Sequence, residues 1–199
     1  MPPSDTQTVL VVDDEPDVAD AYAAQLREKY AVRTAYGGQG ALDAIDETID
    51  VVLLDRRMPE ISGDEVLRTL RSKGIETRVA MVTAVDPDFD IIEMPFDDYL
   101  TKPVSRSELF ETVDRLLTCA KYDAQFQEFY SLTSKLATLQ ANKSQSELEN
   151  SEEYVELTER REAVRERLDE TLSEFNDDAF AAMFRELNPN PPLPDEVID

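Results

Sequence analysis

Four consecutive apolar residues, Val51-Val52-Leu53-Leu54, run straight into Asp55. A run this short, with no polar residue alternating in it, leaves no face for water. It fits a strand buried on both sides, as strands of parallel sheets are when helices cover both faces. Val9-Leu10-Val11-Val12 repeats the pattern and ends in Asp13-Asp14. Two such runs exclude a sheet with one wetted face. They also place three carboxylates where open parallel sheets carry their chemistry, at the carboxyl ends of strands.

The intervening segments supply the helices. Thr8–Val12, Ala31–Ala35, Asp50–Leu54, Arg78–Val82 and Asp97–Leu100 read as strands. Pro16–Lys29, Gly38–Glu47 and Gly63–Ser72 read as helices, with Pro16 in a first turn and Gly74 as a stop. Asp86–Phe96 is short and acidic, room for a helix of only about two turns. Ser105 opens a long helix, with Glu108 placed to complete a capping box. This alternation predicts an α/β fold, a doubly wound five-stranded parallel sheet, over residues 8–120. Residues 1–7 read as a flexible N-terminus.

From Tyr122 the spacing changes. Apolar residues recur every three to four positions through Tyr122, Phe126, Phe129, Leu132, Leu136 and Leu139. After a polar stretch at 142–147 the stripe resumes at Tyr154, Leu157, Val164, Leu168, Leu172 and Phe175, with Arg161 interrupting it. Residues 121–187 therefore read as a C-terminal α-helical hairpin or short coiled coil, with a third amphipathic piece at Asp178–Leu187. A Pro-rich tail, 188–199, is expected to be disordered.

Charge narrows the partners. The 199-residue chain carries 20 basic and 44 acidic residues, net -24, with the excess shared by both halves. Nucleic acid and anionic membranes need clustered positive charge, so this balance argues against both while leaving room for a small local basic patch. An evenly acidic, Lys-poor chain suits concentrated salt, where self-repulsion is screened, and points to a halophilic source. The lone Cys119 forms no internal disulfide, there is no His, and no apolar run is long enough to span a bilayer. A cytoplasmic location is the expectation.

Two further strand ends carry Thr83 and Lys102. Three clustered carboxylates repel one another, so a cation or a proton must join them. Mg²⁺ is well suited, since it takes a few carboxylates plus waters and phosphate oxygens. A free carboxylate can then attack, while an ammonium and a hydroxyl hold phosphoryl oxygens.

VLVVDDE (9–15), LDRRMP (54–59) with Gly63 beyond, Val82-Thr83-Ala84 and YLTKP (99–103) resemble the response-regulator receiver domain of two-component signalling, a CheY-like, flavodoxin-like fold. The resemblance implies phosphotransfer from a sensor histidine kinase onto Asp55. It implies Mg²⁺ held by Asp13, Asp14, Asp55 and the Arg57 carbonyl, and phosphoryl contacts from Thr83 and Lys102. Thr83 and Tyr99 would form the switch, and Lys102-Pro103 the family's cis bond. Arg56 and Arg57 depart from the simplest pattern: they are placed to screen the acid cluster, to shield an acyl phosphate, or merely to be exposed. The compressed Thr83–Lys102 interval argues against a regular fourth helix, part of the family's usual dimer face.

Residues 121–175 resemble the HalX region that follows receivers in haloarchaeal regulators. Arg160, Arg161, Arg165 and Arg167 form its basic cluster. Interleaved Glu159, Glu162 and Glu166 make a salt-bridged solvent face the expected reading. The predicted function is a phospho-acceptor signalling protein, not an enzyme with a separate substrate, acting through its helical region on a protein partner. A homodimer through the receiver or the C-terminal helices is a candidate assembly. Alternatives are a DNA-binding transcriptional regulator and an aspartyl-phosphate phosphohydrolase. The hydrolase pattern wants D-x-D on the first strand, where this chain has Asp13-Asp14-Glu15.

Overall fold

The computed structural model describes residues 6–84 and 89–174, and these divide into two compact units between Leu117 and Thr118. The sequence boundary at 120/121 lies slightly later, because helical periodicity runs through the junction without a break. The predicted piece Asp178–Leu187 and the Pro-rich tail lie outside the described residues.

In the first unit, five strands form one parallel sheet in the order β2-β1-β3-β4-β5. They are β1 (Thr8–Val12), β2 (Ala31–Ala35), β3 (Val51–Leu54), β4 (Arg78–Thr83) and β5 (Asp98–Thr101). Alternation along the central strands divides two apolar cores. Val9, Val11, Val51, Leu53, Ala80 and Val82 face α1 (Pro16–Leu26) and the start of α4 (Arg106–Asn142). Leu10, Val12, Val52, Leu54, Val79 and Met81 face α2 (Gly38–Ala44) and α3 (Gly63–Ser72). Runs apolar on every residue are thus what a sheet between two helix layers requires.

Local chemistry fixes the ends. The Ser62 hydroxyl accepts from Glu65 N–H while Glu65 reaches back to Ser62, capping α3. Its far end closes on Gly74 at φ +71°, with Ile75 N–H donating to Leu70 O and Gly74 N–H to Arg71 O. Ser105 and Glu108 form the predicted reciprocal pair ahead of α4.

Several expectations shift. Helices α1 and α2 stop at Leu26 and Ala44, short of Lys29 and Glu47, because Tyr30 and Ile49 turn inward to lead the chain into the next strands. Gln7, read as flexible, already joins the sheet, its carbonyl accepting from Ala31 N–H at 3.0 Å. Between β4 and β5 the described residues form a 3-10 helix, Phe89–Glu93, rather than an α-helix.

In the second unit the latter part of α4 pairs antiparallel with α6 (Glu152–Glu174) around Leu132, Val164 and Leu168. The polar link is itself partly helical: α5 (Gln145–Glu149) is capped by Ser144 and Glu147. The predicted stripe is rotated at one end. Phe126 and Leu172 are exposed, while Thr171 is fully buried and Gln125 is partly buried.

Candidate functional site

The parallel ladder carries the acidic residues together. Val12 is in register with Leu54, so the next residue on each strand, Asp13 and Asp55, emerges at the same edge. The ladder extends one step further: Asp55 N–H donates to Val12 O at 2.9 Å, and Asp13 N–H to Ala35 O at 3.2 Å. On the other side Lys102 N–H donates to Thr83 O at 2.8 Å, which sets the ends of β4 and β5 side by side. Strand order changes direction between β1 and β3, so this edge is also the topological switch point.

Lys102 is the hub of the cluster. Its Nζ lies 2.6 Å from Asp13 Oδ2 and 2.9 Å from Asp55 Oδ1. Asp13 and Asp55 are 2% and 5% exposed, so neither carboxylate can lean on solvent alone. Each therefore takes a backbone donor as well: Glu15 N–H gives to Asp13 Oδ1 at 3.0 Å, and Arg57 N–H to Asp55 Oδ2 at 2.9 Å. Burial pushes the Asp55 carboxyl above its ordinary range, with Asp13 adding to the effect and Lys102 opposing it. Burial alone would lower the Lys102 ammonium, but its bonds and charge pairing with Asp13 and Asp55 outweigh that and raise it.

The remaining predicted residues are placed as follows. Thr83 is buried at the end of β4. Asp14 is exposed beside Asp13, and Arg57 is exposed beside Asp55. Tyr99 is half-buried, its ring 5.6 Å from that of Phe96 on the α2–α3 side of the sheet. The Lys102-Pro103 peptide is cis. Among the described residues no three acidic side chains are yet grouped as a metal cage. The donor chemistry nonetheless fits a divalent ion, since two buried carboxylates face one ammonium and leave a net negative charge at the edge.

Arg56 behaves differently from the sequence expectation. It is buried, not exposed, and its guanidinium pairs with Asp64 in the first turn of α3, with Nε 3.1 Å from Oδ1 and Nη2 3.3 Å from Oδ2. Gly63 completes the anchorage. Its N–H donates to Arg56 O at 2.9 Å, and a Cβ there would stand 2.1 Å from Asp55 O. The roles of Asp64 and of the close Gly63 contact escaped the sequence reading. Only the spacing of Gly63 after LDRRMP hinted at them.

The family model for the response regulator receiver domain matches residues 9–114, more than half of the chain. The chain belongs to the response regulator receiver family. A HalX domain follows at residues 118–184. A putative transcriptional regulator from Haloferax volcanii is 51% identical over 160 residues, 80% of this chain and 27% of that protein. Transcriptional regulatory protein CutR from Streptomyces coelicolor is 45% identical over 54% of this chain and 52% of its own length. The chain therefore spans only a quarter to a half of these curated relatives. Among solved structures, the receiver domain of a Francisella response regulator aligns at TM-score 0.53 and 32% identity, covering 58% of this chain and 99% of that one. The BeF3-activated DrrB receiver domain aligns at TM-score 0.52 and 30% identity, covering 56% and 97%. The receiver fold seen here and these relatives agree, and homologues of this receiver carry the names of transcriptional regulators.

Among the described residues no helix is long and apolar enough to cross a membrane. In the HalX domain, all four arginines of the basic cluster face carboxylates. Arg160 and Arg167 reach across the hairpin to Glu128, and Arg161 and Arg165 meet Glu162. The expected salt-bridged face is present. Its main cross-helix partner is Glu128, which lies too far away in sequence to be paired by helix spacing.

Proposed function

We propose that this chain is a phospho-acceptor that takes a phosphoryl group from a sensor histidine kinase onto Asp55 and signals through its HalX helices to a protein partner. The observation that carries this reading is the bridging of buried Asp13 and Asp55 by Lys102 at one sheet edge. An Asp55 oxygen attacks phosphorus, the new O–P bond forms as the N–P bond to the kinase imidazole breaks, and the imidazole leaves with the electron pair. Lys102 neutralises charge on the phosphoryl oxygens, and the Thr83 hydroxyl donates a hydrogen bond to one of them. Asp13, Asp14, Asp55 and the Arg57 carbonyl would hold Mg²⁺, which supplies charge neutralisation at the transferring group. Tyr99, on β5 beside the strand that ends in Thr83, would be the aromatic that changes rotamer when Thr83 moves. The chain is then its own phosphotransfer catalyst rather than an enzyme with a separate substrate.

The test is incubation of the full chain with a small acyl phosphodonor and Mg²⁺, read by intact mass. One phosphoryl adduct is expected, lost in Asp55→Asn and on chelation of the metal. An adduct that persists in Asp55→Asn refutes the assignment.

A second reading, DNA binding by the HalX helices, is favoured by the transcriptional names of the relatives. Against it stands the pairing of all four arginines with carboxylates, Arg160 and Arg167 with Glu128 and Arg161 and Arg165 with Glu162. Steeply salt-dependent binding to promoter fragments would decide for DNA.

A further inference from the structure

Asp55 and Arg57 share a short piece of backbone that is gripped from α3. The peptide between Arg56 and Arg57 has both of its polar groups engaged. Its carbonyl accepts from Gly63 N–H at 2.9 Å, and its N–H donates to Asp55 Oδ2 at 2.9 Å. A planar trans peptide points these groups in opposite directions, so holding the carbonyl also aims the N–H at the carboxylate. Gly63 comes this near because it lacks a Cβ, which would stand 2.1 Å from Asp55 O. On the other side, Asp55 N–H is tied to Val12 O of β1. The segment is thus slung between β1 and the first residue of α3.

The side chain of Arg56 adds a second tie, to the next residue of the same helix turn. Its Nε lies 3.1 Å from Asp64 Oδ1 and its Nη2 3.3 Å from Asp64 Oδ2, a fork that fixes direction as well as distance. The two side chains are 10% and 23% exposed, so the pair is largely withdrawn from water. Stability gives little reason for such a pair, since apolar side chains of the same volume commonly serve as well. Position gives one. Val66, Leu67 and Leu70 are buried and seat α3 in the core, which makes Asp64 a fixed point. Beyond Arg57 the chain is pinned again by the buried Met58. Arg57, whose own side chain is exposed, is therefore held from both neighbours, and the setting of its carbonyl follows from theirs.

We propose that Arg56 and Asp64 are positioning residues: their ion pair, through the Arg57 backbone, sets how tightly the site binds Mg²⁺ for phosphotransfer. This rests on the reading of Asp55 as acceptor and of the Arg57 carbonyl as a metal ligand. The pair acts through the backbone, without a contact of its own to the ion. Charge on the pair also acts on a cation, but with a different signature. Through charge alone, Asp64→Asn makes the surroundings more positive and weakens Mg²⁺ binding, whereas Arg56→Met makes them more negative and strengthens it. Through position, both changes weaken it. The double change Arg56→Met with Asp64→Asn leaves the net charge as in wild type and removes the tie.

The experiment is calorimetric titration of the full chain with Mg²⁺ alone, run beside phosphorylation by a small acyl phosphodonor at varied Mg²⁺. Wild type is expected to bind the ion and form the adduct. Arg56→Met, Asp64→Asn and the double variant are each expected to bind Mg²⁺ on the order of tenfold more weakly, as loss of a metal ligand's supporting partner does. Arg56→Lys keeps the charge but not the fork, disturbs folding least, and is expected to weaken binding roughly threefold. In each variant adduct formation is expected to need correspondingly more Mg²⁺. It should return near the wild-type rate once the ion saturates, because Asp13, Asp55 and Lys102 are untouched. Urea unfolding shows which variants are folded under assay conditions, and Arg56→Lys decides if the others are not. A folded Arg56→Lys or double variant that binds Mg²⁺ as tightly as wild type overturns the proposal and leaves Asp55 as acceptor. So does a loss of rate that saturating Mg²⁺ fails to recover. Wild type that neither binds Mg²⁺ nor forms the adduct overturns the reading of Asp55, and the proposal with it.

Discussion

Replacing Lys102 with Met keeps the side chain's length and removes its charge from between two buried carboxylates. At an effective dielectric of about 20, contacts of 2.6 and 2.9 Å are each worth about 6 kcal/mol of gross attraction. Desolvation of the ammonium, whose side chain is 17% exposed, offsets much of that. What remains after removal of one partner from a buried ion cluster is a loss of about 3–5 kcal/mol. The loss must also depend on pH. Asp55 already titrates above its ordinary range, and without Lys102 it should rise further. A carboxyl with a raised folded-state pKa favours the folded state when protonated, so the variant recovers stability as pH falls through that raised value. Wild type gains less over the same window. Urea unfolding of both proteins from neutral pH to about pH 5 measures the difference. Asp55→Asn in the variant background should return a large part of the loss, because it removes one of the stranded charges. A neutral-pH difference below about 1 kcal/mol, or one that does not change with pH, would refute the view that Lys102 neutralises this edge.

Three other outcomes are expected. Gly63→Ala places a Cβ 2.1 Å from Asp55 O, so it should cost about 1–3 kcal/mol in urea unfolding and slow adduct formation by displacing the acceptor's loop. Unchanged unfolding and unchanged phosphorylation would contradict the close packing. Asp64→Asn removes the charge that meets Arg56 in the first turn of α3 and should cost about 1–3 kcal/mol, while the double change Arg56→Met with Asp64→Asn costs less than the two singles summed. Additive losses would mean that the pair does not interact. Glu147, bonded to Ser144 and Lys143, titrates at about 2, and its carboxyl carbon should show this by NMR. Since that pKa is depressed, the cap stabilises α5 above the ordinary Glu range and is lost as pH falls towards 2. An ordinary Glu midpoint would show that the cap is not held in solution.

The edge chemistry was legible because each component is local. Asp13, Asp55 and Lys102 each follow a strand and Thr83 ends one, and a parallel register brings strand ends together without further information. Arg56 was not legible. Whether an arginine beside a carboxylate points to it, to solvent or to a third group depends on where α3 begins, and that start sets Asp64 within reach. Phe126 and Leu172 mark the same limit in the helices. Apolar spacing could be continued through Phe126 or through Gln125, one residue and about 100° apart. Packing against α6 chose Gln125.

The sequence by itself therefore determined the five-stranded parallel sheet and the set of residues at its edge. Apolar runs without a polar face can be buried in only one kind of layer. Tertiary structure alone decided which charged side chains meet: Lys102 between two aspartates, Arg56 onto Asp64, Arg160 and Arg167 onto Glu128. The reason is range. Burial of a strand is written in neighbouring residues, whereas an ion pair joins atoms whose separation along the chain carries no signal of their meeting.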